Sequence, residues 1–314
     1  MTFDDIMTRA SSSTPIVGKD ISQPRFVDWM NSKEPLVQLR GGEGTPIYLI
    51  PGSSGTPDVF TDIAEQLSTP VYGVHIIPES PDTLPGLAEY LFTQIKQIQP
   101  HGPYRIGGFC VGTTVTLLLA EKFLKAGDQL NQVALIEGFP LLFASPALEM
   151  DQETVQHRRM SGPLEQRILD FLIDMYATEP ISPSGFDYRR IAEQTTKAIR
   201  GEAVSPFMAY RLRNIRRSAQ AHAHFTSGFA DPSQAFDPCI IQQKMVEWLS
   251  SLKQPMTFYV GDVGIRVCFP NRSQEWDYLG VGLCDTNIRI KVLGAGHFSI
   301  LGDSNLISAL DNDW

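Results

Sequence analysis

What this chain has little of narrows its class before any motif is read. Its 314 residues hold four cysteines, at 110, 239, 268 and 284, with no Cys-x-x-Cys pair among them. That pattern excludes a disulfide framework and a zinc site, and it reads as reduced thiols in a cytoplasmic protein. Basic residues are the minority, 26 Lys and Arg against 35 Asp and Glu, a net charge of −9. A nucleic-acid surface needs a basic face to meet phosphates, so that class is excluded. No stretch reaches the roughly 18 apolar residues of a membrane-spanning helix. The first 14 residues lack the basic start and apolar core of a secretory signal. Internal repeats and low-complexity tracts are absent. What remains is 42% hydrophobic and 19% charged, ordinary for a globular protein and enough for one large α/β domain.

Residues 1 to about 40 are polar and broken by Pro15, Pro24 and Pro35, which reads as an N-terminal arm or linker ahead of a domain over 41–314. Short apolar runs at 46–50, 71–76, 104–109 and 132–136 read as buried strands, alternating with helical patterns at 58–67, 84–97 and 111–125. The alternation predicts a mostly parallel central sheet with helices on both faces. Strand patterns then stop from about 141 to 250, where helices are expected at 163–176, 188–199, 205–222 and 239–252. They resume at 256–260 and 288–293. A helical insertion between two sheet strands predicts a lid.

The chain is organised around Gly108-Phe-Cys110-Val-Gly112, between the 104–109 strand and the 111–125 helix. A sharp strand-to-helix turn needs a glycine on each side of its central residue, because a Cβ there would strike the neighbouring elements. Cys110 is thereby held at a helix N-terminus, where the amide dipoles favour the thiolate that attacks. This is the nucleophile elbow of the α/β-hydrolase fold, with Cys where Ser is usual.

A thiol nucleophile needs a base in reach, and the base needs an orienting acid. In an open α/β sheet both lie beyond the carboxyl ends of strands. Of six histidines only His297, in the loop Gly294-Ala-Gly-His297 after the last strand, has that address. His75 reads as a core residue, His101 as a turn residue and His157 as a lid-surface residue. His222 and His224 stand two apart on a helix, face different ways and do not suit a metal. Two acids stay open, Glu137 ending the 132–136 strand and Asp262 ending the 256–260 strand. An oxyanion hole would use the backbone N–H of Val111 and that of Gly52 or Ser53, in the small-residue loop 51–55. Pro51 has no N–H to give.

Several of these stretches together resemble the thioesterase domains of polyketide and nonribosomal peptide synthases. They are Pro35-Leu-Val-Gln-Leu-Arg40, Thr45-Pro-Ile-Tyr-Leu-Ile-Pro-Gly52, the approach Gln99-Pro-His-Gly-Pro-Tyr-Arg-Ile-Gly-Gly108 and the loop Gly296-His-Phe-Ser-Ile300. The likeness covers about 36–140 and 255–305. It implies a substrate carried on the phosphopantetheine of an acyl or peptidyl carrier protein, no bound cofactor, and the acid after the strand that follows the elbow. Here that acid is Glu137, a departure from the usual Asp. Thr113 stands where a further Gly is common, and Cys110 replaces Ser. Relatives with Cys nucleophiles resemble lactone-, lactam- or Dieckmann-forming cyclases, so cyclisation, acyl transfer or hydrolysis is expected through a Cys110 acyl-enzyme.

The stretch Met208-Ala-Tyr-Arg-Leu-Arg-Asn-Ile-Arg-Arg217 carries four arginines and no acid. It reads as a solvated helix face or as a dock for an acidic carrier protein. Two other readings of the chain are a Cys hydrolase of the dienelactone hydrolase kind, with its acid near Asp262, and a carrier- or ligand-binding module without turnover.

Overall fold

The computed structural model describes residues 32–144, 164–178, 202–230, 237–265, 274–284 and 287–312, with 193 and 197 as single helical positions. One sheet runs through it, built from β1 (Leu36–Arg40), β2 (Ile47–Ile50), β3 (Val71–Val74), β4 (Tyr104–Phe109), β5 (Leu130–Ile136), β6 (Met256–Gly261) and β7 (Ile288–Leu293). Their order across the sheet is β1-β3-β2-β4-β5-β6-β7. Only β1 is antiparallel to its neighbour. The α/β fold with a mostly parallel sheet is therefore as the sequence implies. The winding reverses between β2 and β4, and ligands collect at the carboxyl ends of strands beside such a reversal. The loops at 51–55 and at Cys110 leave the sheet at that point.

The helices are α1 (Thr61–Gln66), α2 (Leu84–Ile98), α3 (Gly112–Lys125), α4 (Leu164–Thr178), α5 (Pro206–Ser227), α6 (Pro238–Ser251) and α7 (Ser304–Asn312). All four residues of β2 and all six of β4 are buried, as strands covered on both faces must be. At the amino end of the sheet, the buried Arg105 guanidinium donates to Thr45 O at 2.9 Å and Thr69 Oγ1 at 3.0 Å, and also to Leu310 O. It ties α7 to the foot of β4.

Two boundaries move. Leu36–Arg40, which composition put in the arm and the family resemblance put in an entry strand, is an edge strand paired with β3, so the sheet begins ahead of Gly41. Its mixed pattern has a physical reason, since an edge strand buries only part of one face. Residues 1–31 of the expected arm lie outside the described residues. Strand β3 stops at Val74: the His75 N–H still follows the β1 register to Pro35 O, but Pro35 has no N–H to return, and the Ile76 N–H leaves the ladder for Gly55 O. In the lid region α4, α5 and α6 match expected helices, and the described residues there contain no strand. The helix expected at 188–199 lies outside the described residues apart from positions 193 and 197. Helix α5 starts where Ser205 Oγ accepts from the Met208 N–H and Pro206 follows, and runs one turn past the expected end.

Candidate active site

Cys110 has φ of 55°, in the left-handed region that costs an L-residue energy. The two flanking glycines make that corner possible. A Cβ on Gly108 would lie 2.1 Å from Thr116 Oγ1, and one on Gly112 would lie 2.4 Å from Pro51 O. The corner is braced by its own backbone. The Cys110 N–H donates to Ile136 O at 2.8 Å, and its carbonyl accepts from the Thr113 N–H at 3.2 Å and hydroxyl at 2.8 Å. Thr113 therefore fills its unusual place with a hydrogen bond that glycine could not make.

The strand beside it ends in a matching corner. Phe109 pairs with Ile136 across β4 and β5, and the next residue on β5, Glu137, has φ of 52°. Its carboxylate is fully buried and accepts from three donors. Oε1 accepts from the Gly261 N–H; Oε2 accepts from the Ile265 N–H at 2.8 Å and from His297 Nδ1 at 3.0 Å. Asp262, the other acid left open by the sequence, is exposed. Its own loop supplies the backbone amides that hold Glu137.

His297 is 1% exposed and Cys110 is 6% exposed. The imidazole packs against Phe109 and Phe298, with centroids 4.9 and 4.8 Å away. With Nδ1 committed to Glu137, the tautomer leaves Nε2 open, and Nε2 is buried with no partner of hydrogen-bonding geometry. Burial pulls the imidazolium pKa down, but Cys110 and Glu137 outweigh it and push it up from 6.5 to about 10. Cys110 is the larger of those two charge effects.

The loop after β2 meets the thiol at close range. A Cβ on Gly52 would sit 2.9 Å from Cys110 Cβ and 3.5 Å from Sγ, so only glycine admits this approach. Ser53 follows it, buried, and Val111 opens α3 on the other side of the thiol. The residues expected to form an oxyanion hole are thus neighbours of Cys110. Two cavities flank them. One of about 10 Å³ is bordered by Cys110 and aromatic side chains, and one of about 50 Å³ lies between Gly52, Ser53 and α5. Val111 is the one residue lining both.

Helix α5 is fastened to the loops that follow β2 and β3 and to the elbow after β4. Asn214 Nδ2 donates to Ser54 O at 2.9 Å, and the Tyr210 hydroxyl donates to Ile76 O at 3.0 Å while meeting His75 Nε2 at 2.8 Å. His75 is thus buried just past β3, fastened to α5. His222 Nε2 lies 3.1 Å from Val111 O, while His224 two residues on is exposed. Arg211 forms a buried ion pair with Asp58, and Arg217 reaches Asp82, Ile77 O and Ser80 O. For Arg211 and Arg217 this corrects the reading of the stretch as a solvated face or a carrier dock, whereas Arg213 is exposed. Arg211 and Arg217 turn inward as fasteners because acidic and carbonyl oxygens of the loops lie beneath them. No pattern within the stretch marks which loops those are.

A family model described as thioesterase domain matches residues 45–257, more than half of the chain. The chain belongs to the thioesterase domain family. The domain is 25% identical over its whole length to the highly reducing polyketide synthase stpks1 of Strobilurus tenacellus, of which it spans 11%. It is 24% identical over 87% of its length to the nonribosomal peptide synthetase pngA of Aspergillus terreus, spanning 28% of it. Over 34% of its length it is 34% identical to microperfuranone synthase of Emericella nidulans, and spans 12% of that protein. Among solved structures, the NocB thioesterase domain in covalent complex with a fluorophosphonate nocardicin G analog superposes with a TM-score of 0.52 at 15% identity, covering 88% of this chain and 96% of that one. The four-domain nonribosomal peptide synthetase AB3403 gives a TM-score of 0.55 at 14% identity, over 88% of this chain and 20% of that one. Both structures share the fold. No helix among the described residues is long and apolar enough to cross a membrane, and among them no cluster of His, Cys, Asp or Glu forms a metal site.

Proposed function

We propose that this domain releases an acyl, polyketide or peptidyl chain from the phosphopantetheine arm of a carrier protein through a thioester on Cys110. The observation that carries the proposal is His297, held by Glu137 on one nitrogen and raised in pKa by Cys110 beside the other. The Cys110 thiolate attacks the carbonyl carbon of the bound thioester, and the carbonyl oxygen becomes an oxyanion near the N–H groups of Val111 and Gly52 or Ser53. Collapse breaks the bond to pantetheine sulfur, and His297 Nε2 gives that leaving thiolate its proton. An acceptor hydroxyl, amine or carbon acid then loses a proton to Nε2, attacks the Cys110 thioester, and expels the thiolate.

Exchange of one thioester for another is nearly thermoneutral, so the chain stays activated on Cys110. A buried thiol under a fastened lid also limits access of bulk water. Both features put cyclisation to a lactone, lactam or Dieckmann product, or transfer to a second acceptor, ahead of hydrolysis. A carrier-borne substrate is supported by relatives named as polyketide and nonribosomal peptide synthases, and a cytoplasmic site of action fits the same reading. Exposure of Asp262 weighs against the dienelactone-hydrolase arrangement, and the assembled Cys110, His297 and Glu137 weigh against a module without turnover.

Intact mass after mixing with acyl-pantetheine thioesters tests this, with Cys110→Ala in parallel. An acyl adduct on the native chain alone is expected, followed by a ring or transfer product. No adduct and no released thiol across several acyl lengths would overturn it.

A further inference from the structure

Helix α5 carries Asn214, Ser218 and His222 at four-residue spacing, so the three share one face. All three line the cavity of about 50 Å³ that Gly52, Ser53 and Val111 also line. The first and last of them reach backbone carbonyls of the two segments that meet beside Cys110. Asn214 Nδ2 donates to Ser54 O at 2.9 Å, and His222 Nε2 lies 3.1 Å from Val111 O.

Packing holds both ends of this face in place. The Gly55 N–H closes its turn on Gly52 O at 3.0 Å, and a Cβ on Gly55 would lie 2.9 Å from Asn214 Nδ2. The His222 ring is 3% exposed and meets Phe143 edge-on, with centroids 5.2 Å apart. Within its own helix, the Val111 carbonyl takes the Thr114 N–H only at a long 3.3 Å.

A carbonyl stands at each nitrogen of the His222 ring. Nδ1 lies 2.8 Å from Ser218 O and 3.4 Å from Ser218 Oγ, opposite the Val111 O contact of Nε2. Carbonyls only accept, and a neutral imidazole has one N–H to give. Burial pulls the pKa of this ring below 6.5, which leaves it that single N–H at neutral pH. On Nδ1 the proton would serve only a turn of α5 itself. On Nε2 it joins α5 to the elbow, and the Ser218 hydroxyl can donate to the bare Nδ1.

We propose that Nε2 carries the proton and that His222 and Asn214 are positioning residues, holding Val111 and the 52–54 turn at the separation an oxyanion hole needs. The inference rests on the acyl-enzyme reading above for there being an oxyanion to hold. Backbone donors stabilise a developing charge only when they are fixed in place beforehand. Helix α5 supplies that fixity to both halves of the hole without touching the substrate.

Two measurements test this. The first is the His222 tautomer in native protein near neutral pH, read from nitrogen–proton NMR correlations of labelled histidine and assigned by the signal that His222→Gln removes. A proton on Nε2 is expected, and a proton on Nδ1 alone would overturn the proposal. The second compares an unreactive amide, octanoyl-aminopantetheine, with the trifluoromethyl ketone of the same chain. On the ketone, the Cys110 thiolate adds to the carbonyl carbon, the π pair becomes the oxyanion, and His297 keeps the thiol proton. His222→Phe should bind the ketone at least about 10-fold more weakly than native and the amide within about twofold of native. His222→Gln can donate from the place of Nε2, and should bring ketone affinity back to within about threefold of native. Equal weakening of both ligands, native ketone affinity in His222→Phe, or a glutamine variant as poor as phenylalanine would overturn this proposal alone. A native chain that forms no ketone adduct would overturn the acyl-enzyme reading and this proposal with it. The tautomer is read on native protein, so it decides even where His222→Phe fails to fold.

Discussion

Gly264 leaves the space that the Glu137 carboxylate fills. A Cβ built on Gly264 would lie 2.4 Å from Oε2 and 2.6 Å from Oε1. The longer acid is accommodated by a loop that lacks side chains where the carboxylate enters. Gly264 carries no left-handed strain, so Gly264→Ala disturbs little except that space. Acylation by Gly264→Ala should fall by about 10²-fold through misplacement of His297. Gly127→Ala is the control: φ there is 77° and nothing lies within 4 Å, so it should lose about 1–2 kcal/mol of stability and no activity. Equal activities for the two variants would show that this loop does not position the acid.

Glu137 and Asp262 can be separated directly. Glu137→Gln keeps shape but cannot stabilise an imidazolium, and should lower the rate of thiol release about 10²- to 10⁴-fold. Asp262→Asn, exposed and away from the ring, should stay within about twofold of native. The reverse ranking would move the orienting acid to Asp262.

The charge on His297 has its own pH signature. In native protein the ring should hold its proton up to about pH 10, followed by NMR of its carbon-bound hydrogens. In Cys110→Ala the burial effect faces Glu137 alone, so the pKa should drop below the native value. The sign for stability follows from the raised value. The ring's contribution is complete below its ordinary 6.5 and is lost as pH rises through about 10. A pKa unmoved by the alanine would separate His297 from Cys110.

Arg211 and Asp58 are both buried, with side chains 3% and 8% exposed. Removing one partner leaves the other charge without its counterion, so Arg211→Ala should lose about 3–5 kcal/mol in denaturant melts. Backbone protection against hydrogen exchange should fall in α5 while that of β4 persists. A stability change within error of native would remove this pair from the fastening of the lid.

The parts of the site with local chemistry were legible in the chain itself. Gly108, Cys110 and Gly112 report a corner because the backbone there tolerates nothing larger, and Gly294 and Gly296 flag the loop that returns His297. The acid was not decidable by residue order, since Glu137 and Asp262 both end strands and both precede His297. Only the register of β5 against β6 shows that one carboxylate threads inward while the other faces solvent. The fate of Arg211 and Arg217 was hidden for a similar reason, because Asp58 and Asp82 lie 153 and 135 residues away in the chain. Helix α7 does carry an apolar face, Leu306, Ile307 and Leu310, but its nine residues make that spacing easy to pass over.

The left-handed corner at residue 110 has a consequence for sequence change. At φ of 55° a β-branched side chain is strongly disfavoured, whereas unbranched cysteine and serine place their reactive atom alike. A single exchange of sulfur for oxygen is therefore open to this backbone at little conformational cost, while threonine or valine is not. The scaffold is thus indifferent between a thiol and a hydroxyl at this corner.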